Sequence, residues 1–166
     1  MKRITIISFC LMAFNMTFAQ EDCACCSEPY KQFDFWVGDW NVYNEEGEKV
    51  GENLIEKLES GCILNENWKG AKGGSGKSYN YYNKSDSSWH QLWIDSSGGS
   101  LDLTGYAEEN KMILKGKLQK GQRVPLYANR ITWTKNEDGS VTQLWEILDD
   151  KDSVLNVAFK GIYRRK

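Results

Sequence analysis

The sequence predicts an all-β protein: an antiparallel, up-and-down barrel of about ten strands behind one short N-terminal helix. Three observations carry this. Turn-forming clusters recur about every ten residues: Glu45-Glu46-Gly47, Ser60-Gly61, Lys72–Gly76, Lys84–Ser87, Asp95–Gly99, Glu108–Asn110, Lys120-Gly121, Asn136–Gly139 and Asp149–Asp152. The segments between them are rich in Trp, Tyr, Ile, Val, Leu and Thr, which suit a pleated, half-buried surface. No segment has the length and period of a crossover helix, so neighbouring strands should run antiparallel. A meander that closes on itself also removes its exposed edges, which favours a barrel over an open sheet.

Taken from the N-terminus, Met1-Lys2-Arg3 places positive charge ahead of an apolar run from Ile4 to Phe18. The run ends at Thr17-Phe18-Ala19 and turns polar at Gln20-Glu21-Asp22. This is the pattern of a secretory signal peptide over 1–19, cleaved before Gln20, and it implies a periplasmic or secreted protein. The alternative, a membrane anchor, needs roughly 20 apolar residues. A lipoprotein signal would want a small residue where Phe9 precedes Cys10. No later stretch is apolar enough to span, so stable membrane insertion is not expected.

Residues 20–32 are expected to form a cysteine-containing N-terminal tail and short helix, and 33–166 the barrel. Ser27-Glu28-Pro29 has the look of a helix start, with Ser as cap and Pro in the first turn. Tyr30, Phe33 and Val37 follow at helical spacing, so the helix is expected to cover a barrel end. Farther on, Met112, Leu114 and Leu118 alternate with Lys111, Ile113, Lys115 and Lys117. Near the C-terminus Leu155, Val157, Phe159 and Tyr163 oppose Asn156, Lys160 and Arg164. Between Trp89 and Asp95 both faces carry large apolar groups. The face of Trp89, Gln91 and Trp93 is expected inward, because two indoles bury more apolar area than Leu92 and Ile94.

The net charge of −2, with both signs interspersed, offers nothing to nucleic acid or an anionic membrane. Aromatic content of 13 %, with seven Trp, exceeds what a dry core of this size can hold with every N–H and O–H satisfied, so some should line a pocket or contact surface.

The stretch from Phe33 to Val42, Phe-Asp-Phe-Trp-Val-Gly-Asp-Trp-Asn-Val, resembles the first-strand signature of the calycin barrels, which include lipocalins, fatty-acid-binding proteins and nitrobindin-type proteins. In those families a Gly-x-Trp sets an indole across one barrel end and a basic residue of the last strand packs over it. The resemblance assigns those roles to Gly38, Trp40 and Arg164, in a calycin-like barrel. Fatty-acid-binding proteins hold a lipid carboxylate with Arg-x-Tyr in the last strand. Gly161 and Tyr163 stand at the matching positions, so that mode is not implied. The whole chain after the leader also resembles exported bacterial lipocalin-like proteins of unknown function, through Phe33–Trp40, Trp89–Asp95 and Arg130–Thr134.

Cys23, Cys25, Cys26 and Cys62 follow the leader. In an oxidising compartment they suggest disulfides, at least one tying the tail to Cys62; the rival is a thiolate metal site. No other metal or cofactor motif is present, and none is expected to be bound. His90 is the sole histidine. A hydrolase or isomerase would be built around it, with Asp95, Glu66 or Glu146 as the acid. The last candidate set pairs polar groups with indoles on four strands: Glu66 with Trp68, Gln91 with Trp93, Arg130 with Trp133, and Gln143 with Trp145. An apolar lumen with a few polar handles is what a small-molecule site needs. Trp68, Gln91, Trp93, Arg130, Trp133, Gln143, Trp145 and Tyr163 are therefore the expected ligand-binding residues. The resulting expectation is a non-catalytic, lipocalin-like protein that binds a small, partly apolar ligand. The alternatives are His90 catalysis and an envelope interaction module using outer aromatics.

Overall fold

A computed structural model describes residues 23–121 and 124–166; the expected leader lies outside them. The strands are β1 (Gly38–Tyr43), β2 (Lys49–Leu58), β3 (Ile63–Gly70), β4 (Ser75–Asn83), β5 (Ser88–Asp95), β6 (Ser100–Glu108), β7 (Lys111–Gly116), β8 (Gln119–Lys120), β9 (Leu126–Lys135), β10 (Val141–Leu148) and β11 (Val154–Arg165). Sequential strands pair antiparallel from β1 to β7, β7 pairs with β9, β9 with β10 and β10 with β11. Pairing of β11 with β1 closes a ten-stranded barrel, while β8 is a short side strand on the start of β9.

The expected N-terminal helix is present as two single 3₁₀ turns, Glu28–Tyr30 and Asp34–Trp36, rather than one continuous helix. The Ser27 side chain makes no capping hydrogen bond, and Trp36, not Val37, is the fully buried residue of the second turn. These turns cover one barrel end. Phe33 stacks on Trp36 at 4.9 Å and meets the edges of Trp89 and Trp133 at 5.7 and 5.1 Å. Trp40 Nε1 donates to Trp36 O at 2.9 Å, tying the plug to β1.

The arginine that packs over Trp40 is Arg165, not Arg164. Its guanidinium lies 4.4 Å from the indole centre and donates to Val37 O at 3.0 Å. Arg165 is the cross-strand partner of Trp40 and shares its face, whereas Arg164 pairs with Asn41 and lies over Tyr43. Gly38 has φ +152°, and a Cβ there would meet Arg165 Nη1 at 2.3 Å.

Two expected inward residues at the C-terminus point elsewhere. The β10–β11 register shifts between Trp145 and Glu146 and again between Ile147 and Leu148, so β11 carries Ala158 and Leu155 as extra residues and its alternation breaks before Phe159. Leu155 and Val157 are 45 % and 49 % exposed, while Phe159, Gly161 and Tyr163 face inward. Leu118 lies beyond the end of β7 and is exposed as well. On β5 the Trp89–Gln91–Trp93 face does point inward, with Leu92 and Ile94 outside.

Candidate functional site: a lumenal cavity over a polar band

Inside the barrel the side chains form three levels. At the covered end lies the aromatic plug of Phe33, Trp36, Trp40, Trp89 and Trp133. Next comes a band of polar side chains. The far end is an aromatic mouth enclosing a cavity of about 200 Å³.

The polar band is continuous across six strands. Tyr163 Oη donates to Gln143 and accepts from Asn53 Nδ2 at 3.3 Å. Asn53 Nδ2 also donates to Glu66 Oε1 at 2.7 Å. Ser78 Oγ donates to Glu66 Oε2 at 2.7 Å, and Asn80 Nδ2 donates to Ser78 Oγ at 2.8 Å. Gln91 Nε2 donates to Asn80 Oδ1 at 2.8 Å, so its partner comes from a neighbouring strand. Buried polar groups need such partners, and the inward alternation of β2, β3, β4, β5, β10 and β11 brings them to one height.

Glu66 is the charged member of this band and is 4 % exposed. Burial pushes its pKa from 4.5 up to about 7, against the lowering effect of the Ser78 and Asn53 hydrogen bonds. Tyr163 is raised well above 10, first by burial and then by the charge of Glu66.

The mouth is walled by Trp68, Trp93, Trp145 and Phe159, with Leu101 and Ile131 between them. Trp68 meets Phe159 edge-on at 5.9 Å, and Trp145 Nε1 donates to Asn129 Oδ1 at 2.8 Å. Two inward glycines make room for these walls. A Cβ on Gly51 would fall 2.4 Å from the Trp68 indole, and one on Gly76 2.1 Å from that of Trp93.

The structure brings Trp68, Gln91, Trp93, Gln143, Trp145 and Tyr163 around this cavity. It does not bring Arg130 or Trp133. Arg130 lies on the outer face and pairs with Glu146 at 2.9 Å. The two residues are three apart on one strand, so they take opposite faces. Trp133 faces inward but is fully buried in the plug, 5.2 Å from Trp36. Sequence reasoning left Glu66 out of the binding set, although its two-residue spacing from Trp68 placed both on one face. It also missed Asn53, Ser78 and Asn80, whose roles depend on register between strands.

His90 stands on the outer face of β5, stacked on Tyr81 at 5.2 Å. Its Nε2 contacts both Asp86 Oδ2, at 2.8 Å, and Ser88 Oγ, at 3.1 Å. A nucleophile–His–acid relay needs the two imidazole nitrogens to face different partners, and here one nitrogen meets both. None of the expected acids reaches it. Asp95 binds its own turn through Ser97 and Gly99, Glu146 pairs with Arg130, and Glu66 lies inside the barrel.

Cys23 is bonded to Cys26 and Cys25 to Cys62, so the tail is tied to the start of β3 and none of these four sulfurs is a free thiolate for a metal. Among the described residues no helix is long and apolar enough to cross a membrane.

Compared with known proteins, the chain matches no family model and no curated protein.

Proposed function

We propose that this is an exported, calycin-like protein that binds a small, partly apolar molecule in its barrel lumen and does no chemistry on it. The observation that carries the reading is the cavity: indole and phenyl walls over a hydrogen-bonded polar floor, open at one barrel end. An apolar enclosure with a few convergent polar groups orients a ligand without needing a reactive residue. Its size suits one ring with a short substituent, since a cavity of about 150 Å³ accommodates benzene. Export is supported by the N-terminal charge and apolar pattern and by the two disulfides.

Titration with benzyl alcohol, followed by tryptophan fluorescence, tests the lumenal site. Binding should perturb the wall indoles, and Leu101→Phe, which fills the cavity, should weaken it about tenfold (about 1.4 kcal/mol). Equal binding by both proteins sinks the reading. A second reading, an interaction module, draws on Tyr79, Leu92, Ile94 and Tyr106, exposed on the outer face of β4–β6. It gains ground if Leu101→Phe has no effect while Ile94→Lys abolishes capture of an envelope component.

A further inference from the structure

We propose that the lumenal site selects a small organic cation, an ammonium carried on a single ring, with the Glu66 carboxylate as its counter-ion. The inference rests on the lumenal-binding reading and adds the charge of the ligand.

Glu66 lines the cavity at its polar floor, and among the described residues no Lys, Arg or His lines that cavity with it. Among the described residues no ion pair includes Glu66; Lys49–Glu52, Lys57–Asp34, Lys166–Asp39 and Arg130–Glu146, for example, involve other carboxylates. A buried carboxylate without a counter-charge is costly, and neutral donors offset only part of that cost. Each Glu66 oxygen accepts one side-chain hydrogen bond, from Asn53 and from Ser78. An ionised carboxylate has about four acceptor sites, so capacity for an incoming donor remains. The neighbouring amide adds to the surplus of acceptors, because Asn53 Oδ1 is buried without a partner.

Glu66 is contacted by Asn53 on β2 and Ser78 on β4, and Gln91 on β5, Gln143 on β10 and Tyr163 on β11 line the same cavity. Tyr163 is the one titratable group among them, and it stays protonated at neutral pH. The aromatic mouth completes the match. Trp68, Trp93 and Trp145 present π-systems, which attract a desolvated cation through the ring quadrupole. A carboxylate ligand would meet like charge at the floor. A neutral ligand would leave Glu66 either unpaired or protonated.

Benzylammonium, benzyl alcohol and benzoate share one ring and differ in charge, so they separate the possibilities. Calorimetric titration should give benzylammonium the highest affinity, about tenfold or more above benzyl alcohol at about pH 8, with benzoate weakest. An alkylammonium keeps its proton below about pH 9. Its affinity for the native protein should therefore rise from about pH 5 to about pH 8 as Glu66 ionises, while that of benzyl alcohol stays level. In Glu66→Gln the benzylammonium-to-benzyl-alcohol ratio should collapse to near one. Should that variant not fold, the pH profile of the native protein still decides. If benzyl alcohol binds and benzylammonium is no tighter, or shows no pH dependence, the cation inference falls and lumenal binding stands. Binding of none of the three removes both.

Discussion

The Trp93 indole fills the space where Gly76 would carry a side chain, with Trp93 Cζ2 only 2.1 Å from the position of a Cβ. The glycine on β4 thus sets how far the indole withdraws from the lumen, and Gly51 on β2 does the same for Trp68. Gly76→Ala should push the ring into the cavity. Overpacking of this kind costs about 1–3 kcal/mol, readable in urea unfolding, and should also weaken benzyl alcohol binding. Native stability and affinity in the variant would contradict this account of the mouth.

The two C-terminal arginines should separate cleanly. Arg165→Ala removes both the contact over Trp40 and the hydrogen bond to Val37 O, and should cost about 1–2 kcal/mol. Arg164→Ala should change stability by about 0.5 kcal/mol or less. Trp40→Ala, at a fully buried site, should cost about 3–5 kcal/mol. Thermal denaturation of the three variants checks the ranking; a larger loss for Arg164 than for Arg165 would reverse it.

Peptide mapping without reductant should recover Cys25 linked to Cys62 and Cys23 linked to Cys26. The two bridges close loops with sequence separations of 37 and 3. On the chain-entropy estimate the long one contributes roughly 4 kcal/mol and the short one roughly 2. Cys25→Ser with Cys62→Ser should therefore destabilise more than Cys23→Ser with Cys26→Ser. Free thiols at these four positions in the folded protein would count against the pairing.

What could be read from the sequence depended on the range of the physics involved. Strand number and the inward face of β5 follow from local pattern, and there the area argument distinguished Trp93 from Ile94. The spacing of three between Arg130 and Trp133 already meant opposite faces, so grouping them in one site ignored a local signal. The outward turn of Leu155 and Val157 was different in kind. It comes from a register shift against β10, which alternation along β11 alone does not reveal. Choosing Arg165 over Arg164 likewise required the Trp40–Arg165 pairing. Glu66 shares the inward face of Trp68 by its spacing of two, but its hydrogen-bonded environment is not legible from that spacing. That environment depends on Asn53 and Ser78, partners 13 and 12 residues away on the neighbouring strands.

Glu66 should also leave a signature on stability in the absence of ligand. Its pKa is about 7 in the folded protein against an ordinary 4.5. Between those values the folded chain holds a proton at this site that the unfolded chain has released. Stability therefore falls as pH rises through that interval. The favourable contribution is complete below pH 4.5 and gone above about pH 7, and a shift of this size corresponds to about 3 kcal/mol. Other carboxylates act at lower pH and with opposite sign. Glu52, held down to about 2 by Lys166 and Lys49, and Asp86, Asp95, Asp138 and Asp149, lowered chiefly by hydrogen bonds in their turns, lose their contributions as pH falls through their own folded values. Urea unfolding of the native protein and Glu66→Gln across the interval isolates the Glu66 term, because the other titrating groups are common to both. The difference between the two curves should change by about 3 kcal/mol, the native protein losing ground toward neutral pH. Parallel curves would mean that Glu66 titrates normally, and that the floor of the cavity is wetter than its hydrogen bonds imply.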